Sequence, residues 1–246
     1  MIVTIHQPEH LPWLGFFDKM RQADMLVLLD TTQFAKNDFQ NRNRIKTRSG
    51  STWLTVPVFS KGASKQSITD VEICNDGKWG KRCWSLIYEN YREAPYFARH
   101  KPFFEELYAR KWSKLADLNV MIIQYLTEQL GLKTELVTAS ELGIYGRGAT
   151  SVLVTICRSL GADVYLSGKY GKQYLDETQF VEHNIEVRYQ DFQHPIYPQL
   201  WGEFLSHMSA IDLLFNCGDS SLEIIAQANS PGILAEYHLM PFERGN

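Results

Sequence analysis

Residues 25–29 read Met-Leu-Val-Leu-Leu and stop at Asp30. An unbroken apolar run of that length suits a strand covered on both faces, whereas a half-exposed antiparallel strand alternates. Strands of this kind belong to parallel sheets, whose crossovers lay helices over each side. The run follows a β-branched stretch at residues 2–5, a turn punctuated by Pro8 and Pro12, and apolar residues at helical spacing over residues 14–21. The chain therefore opens β-α-β. The alternation returns later, with a strand at residues 134–138, a helix at 150–160, a strand at 163–166, a glycine-bearing loop, a helix at 177–183 and a strand at 186–189. The expected fold is α/β, a doubly wound, mostly parallel, Rossmann-like sheet.

Two segments depart from that rhythm. Residues 31–50 are polar and basic, and the strands expected at 44–47 and 52–58 form a hairpin around Arg48-Ser49-Gly50-Ser51. A Ser/Gly/Lys loop at 59–66 and an edge strand at 67–73 follow. Residues 78–91, 96–110 and 113–130 then show helical spacing with no strand between them, which predicts an inserted helical layer at 78–130 within a single domain, 1–246. After the proline-rich stretch 194–199, two more helices are expected at 209–215 and 221–227.

Composition narrows the partners. The net charge of −3 excludes a dedicated nucleic-acid binder, which shows a strongly basic total. Cys74, Cys83, Cys157 and Cys217 lie far apart with no C-x-x-C pair, the usage of free thiols in a reducing cytoplasm. The opening MIVTIHQPEH has no basic and apolar leader pattern, and no stretch approaches the roughly 20 apolar residues that span a bilayer, so a cytoplasmic protein with no membrane span is expected.

In an open parallel sheet, ligands bind outside the carboxyl ends of the strands. After the first strand come His6, Gln7, His10 and Trp13; after the second, Asp30 and Gln33; after the strand at 163–166, Ser167, Gly168, Lys169, Gly171 and Lys172. Two imidazoles four residues apart, ahead of a helix N-terminus, suit an anion or a developing oxyanion, and His6, His10 and Asp30 are the candidate catalytic groups. The plainer alternative is that the histidines only brace the turn. Lys36, Arg42, Arg44, Lys46 and Arg48 against Asp38 form a local basic surplus. Strand alternation sets Asn41 and Asn43 on one face and Arg42 and Arg44 on the other, with Arg42, Asn41 and Asn43 the expected ligands and a solvated hairpin the alternative.

The loop S-G-K-Y-G-K-Q-Y-L-D at 167–176 suits backbone donation to a phosphate or carboxylate, with Tyr174 and Asp176 placed to orient a sugar or an amine. It is neither a P-loop nor G-x-G-x-x-G, so ATPase and dinucleotide-binding readings fail on the motif. No cofactor is expected, and with no third ligand beside the two histidines, no metal. His194, Tyr197 and Gln199 are read as a wall of a pocket or as packing.

Several motifs in one order carry a resemblance: H-Q-P-E-H-L-P-W-L-G-F-F-D-K at 6–19, L-D-T-T-Q-F at 29–34, N-R-N-R-I-K at 41–46, W-L-T-V-P-V at 53–58, S-G-K-Y-G-K-Q-Y-L-D at 167–176 and S-A-I-D-L-L-F-N-C-G at 209–218. Together they resemble the WbqC-like family almost end to end. The resemblance implies a link to bacterial surface-polysaccharide gene clusters and a small-molecule sugar or sugar-nucleotide substrate, without supplying a reaction. The opening strand, histidine turn, helix and acid-terminated strand also resemble the HUP-like nucleotidyltransferases of the HIGH-motif type, with His10 on the first motif histidine but Pro12 and Trp13 replacing the expected glycine and second histidine. Three functions follow as expectations. The first is a transferase placing an acyl or aminoacyl group on the amine of an amino-sugar nucleotide, with His6 or His10 as base. The others are a nucleotidyl or adenylyl transferase using His10, Arg42 and Lys169, and a non-catalytic scaffold of a glycan-assembly complex.

Overall fold

The computed structural model describes residues 1–59, 65–146 and 149–228. Its first three elements are β1 (Ile2–His6), α1 (Leu14–Arg21) and β2 (Met25–Leu28). After the hairpin β3 (Arg42–Thr47) and β4 (Gly50–Thr55) come three consecutive helices, α2 (Trp79–Tyr91), α3 (Phe97–Ala109) and α4 (Leu115–Gln129). The α/β alternation resumes with β5 (Glu135–Thr138), α5 (Ala149–Ser159), β6 (Val164–Ser167), α6 (Thr178–Val181) and β7 (Glu186–Tyr189), and two helices follow, α7 (Ala210–Cys217) and α8 (Ser221–Gln227).

The main sheet has the order β5-β2-β1-β6-β7 and every pairing in it is parallel. Period-two alternation decides which side chains go where. Leu26 and Leu28 pack with Phe16 and Phe17 of α1 on one face, while Val27 joins Val3, Ile5 and residues of α5 and α6 on the other. Two apolar clusters therefore sandwich the sheet, as the unbroken run at residues 25–29 requires. The larger one also takes in α2, α3, α4 and α7, where Tyr91, Phe97, Phe104 and Phe215 meet.

The strand order contains a reversal. From β1 the chain moves outward through β2 to β5, then crosses back to lay β6 on the opposite flank of β1. Adjacent parallel strands end on the same edge, so His6 and Ser167, 161 positions apart by their numbers, close neighbouring strands at the topological switch point.

The hairpin begins two residues earlier than expected, and Thr47 pairs with Gly50 across Arg48 and Ser49. The edge strand expected at 67–73 does not form. Ile68 and Val71 are both fully buried, a spacing of three rather than two, and the chain makes a single 3-10 turn, Ile68–Asp70, with isolated bridges from Ser67 to Gln33 and from Ile73 to Val58. Residues 60–64 of the expected loop 59–66 lie outside the described residues. Helix α6 is shorter than the expected 177–183, and the four cysteines are unpaired. No helix among the described residues is long and apolar enough to cross a membrane.

Candidate functional site

Pro8 and Pro12 hold the chain between β1 and α1 in a turn whose groups are anchored from several sides. The amide of Asn119 in α4 donates to the carbonyls of Pro8 (3.0 Å) and Gln40 (2.8 Å). Asn43 donates to the Leu11 carbonyl at 2.7 Å, and Gln40 donates to Gln7 Oε1 at 2.6 Å. Leu11 itself adopts φ 50°, a left-handed conformation that a leucine holds only when its surroundings fix it.

Within this turn His6 and His10 diverge. His6 keeps part of its ring in solvent, with Nδ1 3.1 Å from the Gln7 carbonyl and 3.8 Å from Glu9 Oε1, and packs edge-on against Phe16. His10 is fully buried, its Nε2 3.2 Å from the Tyr108 hydroxyl. Burial holds both rings neutral at neutral pH. The pKa of His6 falls to about 3, helped by the charge of Lys19, and that of His10 falls to about 4 despite the opposing Asn119.

Two groups that the sequence reading did not select complete the turn. Lys19 lies on the inner face of α1, 3 % exposed, and donates to the Ile5 carbonyl at 3.0 Å. Glu9 is 8 % exposed, and its Oε2 has no hydrogen-bond partner. Burial pushes the Glu9 carboxyl up to about 8 and the Lys19 ammonium down to about 7, each shift moderated by the charge of the other. Both groups therefore exchange protons near neutrality. A lysine inside an amphipathic helix reads as surface, and the one sequence signal was its place in the apolar Leu14–Arg21 stretch.

The other sequence candidates divide by location. Asp30 at the exit of β2 is 3 % exposed, and both of its oxygens accept from Ser140, from the amide at 3.0 Å and from the hydroxyl. It ties the end of β2 to the loop after β5. Gln33 is exposed beyond it. Trp13 lies over the first turn of α1, where a Cβ on Gly15 would meet its ring at 2.3 Å, and stacks on His207 at 5.4 Å with Phe192 edge-on at 5.5 Å. Ser167 is buried at the end of β6, and Gly171 packs beside it, where a Cβ would meet Ser167 Oγ at 2.1 Å. The loop is a 3-10 helix, Lys169–Gln173, instead of an open cradle. Gly168 is half-buried at its start, Lys169 is exposed, Lys172 lies 5.1 Å over Tyr189, and Tyr174 is exposed. Asp176 accepts from the Thr178 amide and hydroxyl and from Gln179, and these bonds hold its carboxyl below the usual range.

Asn41 and Asn43, expected as ligands, instead spend their amides inside the fold. Asn41 donates to the Val56 carbonyl at 3.0 Å and accepts from the Asn37 amide, while Asn43 Oδ1 accepts from the Arg44 amide. The alternation itself holds. Arg42 and Arg44 share the opposite face, 4.2 and 5.7 Å from the Trp53 ring centroid, away from the β1 turn that their neighbours brace. His194 lies 5.0 Å from His207 and Tyr197 is buried, so that stretch walls the Trp13 side.

At the ends of β2 and β5 a groove of about 550 Å³ opens between the sheet and the loop from α3 to α4. Its lining includes Asp30, Thr69, Arg110, Lys111, Ser140 and Glu141. With the carboxylate of Asp117 and the hydroxyls of Ser113 and Thr138 also in the lining, the surface is mixed and polar and suits a polyhydroxylated ligand. Among the described residues no group of three or more His, Cys, Asp or Glu is arranged to hold a metal ion.

A five-stranded parallel sheet flanked by helices, with a polar groove at the carboxyl ends of β2 and β5, defines the protein as an α/β protein. The model of the WbqC-like protein family matches residues 7–224, and the chain belongs to that family. It is 36 % identical over 219 residues, 88 % of this chain and 94 % of the relative, to a protein of Mycobacterium tuberculosis (strain ATCC 25618 / H37Rv) named "Uncharacterized protein Rv1507c". No solved structure matches the chain.

Proposed function

We propose that the protein is a transferase of bacterial surface-polysaccharide biosynthesis that moves an acyl or aminoacyl group onto the amine of an amino sugar, the sugar being nucleotide-linked. The observation that carries the reading is the half-buried, neutral His6 backed by Glu9 at 3.8 Å and by Lys19 at the carboxyl end of β1. A nucleophilic amine forms its N–C bond to the acyl carbon as the leaving group departs, and the nitrogen then sheds a proton. In this reading Glu9, ionised at alkaline pH, is the final acceptor of that proton, and the neutral His6 ring, too weak a base to keep it, passes it on in one concerted step; Lys19 holds the turn against Ile5. His10 and Asp30 are positioning residues, one bracing the turn against Tyr108 and the other fixing Ser140. Four unpaired thiols suit a reducing cytoplasm, where activated sugars and acyl donors are made.

The test is incubation of the purified protein with uridine-diphosphate-linked amino sugars and activated acyl donors, read by mass spectrometry. An acylated sugar nucleotide, lost in Glu9→Gln, is the expected product. Unchanged sugar nucleotides across donors overturn the reading. Pyrophosphate release from a nucleoside triphosphate with Mg²⁺ would assign nucleotidyl transfer in its place, and a phenotype that survives His6→Ala and Glu9→Gln would assign a scaffold.

A further inference from the structure

A second groove, of about 420 Å³, lies where the N-terminal end of α2 meets the C-terminal end of α3. Gly77, at φ 80°, turns the chain into α2. Gly80 then sits so close to α3 that a Cβ would meet the Tyr108 carbonyl oxygen at 2.2 Å. The two helix ends touch backbone to backbone, and this contact brings Lys78 and Lys81 to the same cavity as Arg110 and Lys111.

The charge there is unbalanced. The lining holds one carboxylate, Glu105, which faces Lys101 at 4.0 Å. Among the described residues none of the four cations enters an ion pair, and Arg110 rests instead on the Trp112 ring at 4.3 Å. Four like charges around one cavity, in a chain of net charge −3, repel one another until an anion enters. The cavity also has an aromatic wall. Trp84 is half-buried and stacked on Phe97 at 6.1 Å, and Trp79 closes the groove beneath it. Arg110 and Lys111 line this groove and the groove at the ends of β2 and β5 alike, so the two meet at that dipeptide.

We propose that the groove between α2 and α3 is a diphosphate-binding subsite, filled by a nucleoside diphosphate whose phosphates lie between Lys78, Lys81, Arg110 and Lys111 and whose base lies against the Trp84 wall. A sugar on the second phosphate then points past Arg110 and Lys111 toward Ser140 and Glu141. That sugar half rests on the transferase reading above, whereas the phosphate half stands on the cavity and its charge. The basic residues of the β3–β4 hairpin and the Ser167 loop are not needed for phosphate in this arrangement.

Calorimetric titration of the full chain with uridine diphosphate, inorganic pyrophosphate and uridine tests the subsite. Uridine diphosphate and pyrophosphate bind, uridine binds at least about tenfold more weakly than uridine diphosphate, and added salt weakens the two anions. The double variant Lys81→Ala, Lys111→Ala changes two exposed side chains that make no ion pair among the described residues, and it lowers uridine diphosphate affinity at least about tenfold while circular dichroism stays unchanged. Absence of binding by either anion, equal binding of uridine, or undiminished affinity in the double variant overturns the proposal. Binding that depends on Lys81 and Lys111 without any acyl transfer refutes the transferase reading alone. Acyl transfer with an unchanged KM for the sugar nucleotide in the double variant refutes the subsite alone.

Discussion

Burial of His10 makes the stability of this protein sensitive to acid. The ring is fully buried beside Tyr108, and its pKa falls from 6.5 to about 4 in the fold. A lowered folded-state pKa means that the native protein binds the proton less readily than the unfolded chain. The contribution is therefore complete above pH 6.5 and disappears as the pH drops through about 4. At about 1.4 kcal/mol per pKa unit, the gap is worth about 3 kcal/mol at its acid limit, and stability changes by about 1.4 kcal/mol per pH unit in between. His10→Gln removes that proton. Urea unfolding followed by tryptophan fluorescence, at pH values between about 7 and about 4.5, gives the comparison. The wild-type curve falls more steeply than that of the variant, and the stability difference between them changes by about 2 to 3 kcal/mol across the range. The variant keeps a residual slope, because burial also lowers His6, His100 and His194, to about 3, 4 and 4. Parallel lines for the two proteins refute the assignment of a neutral, desolvated His10.

Three further outcomes follow from the same geometry. Asn119→Ala leaves the buried carbonyls of Pro8 and Gln40 without their donor and lowers unfolding free energy by about 3 kcal/mol, measured by urea titration. Glu9 and Lys19 are coupled through their charges, so Lys19→Met pushes the Glu9 pKa further up and Glu9→Gln pushes the Lys19 pKa further down, shifts that titration of the two single variants checks. If the proposed acyl transfer is the activity, its rate rises with pH through about 8 as Glu9 loses its proton, and Glu9→Gln flattens that limb of the pH profile.

The β-α-β opening and the carboxyl-edge location of His6, Asp30 and Ser167 were legible because apolar runs and prolines are local signals. The use of Asn41 and Asn43 was not, since their partners Val56 and Leu11 are 15 and 32 positions away and become partners only when the hairpin docks. The contrast between His6 and His10 had the same origin: Tyr108 lies 98 positions from the ring it covers. Lys19 was hidden by the rule that lysines face water, which fails where α1 crosses the Ile5 carbonyl. The loop at 67–73 misled because β-branched residues there suggest a strand, whereas burial of Ile68 and Val71 at a spacing of three selects a turn. The groove between α2 and α3 arises from helix ends in contact, and the one it meets at Arg110 and Lys111 from the strand exits facing the loop before α4; sequence spacing carries no record of either contact.

Hydrogen–deuterium exchange with and without a uridine-diphosphate-linked amino sugar locates the ligand directly. Protection over the turn from His6 to Leu14, over Thr138 to Glu141 and at Arg110 and Lys111 is the predicted result. Protection confined to the α5 and α6 face of the sheet, with the turn after β1 exchanging as it does in the free protein, would contradict a site at the carboxyl edge.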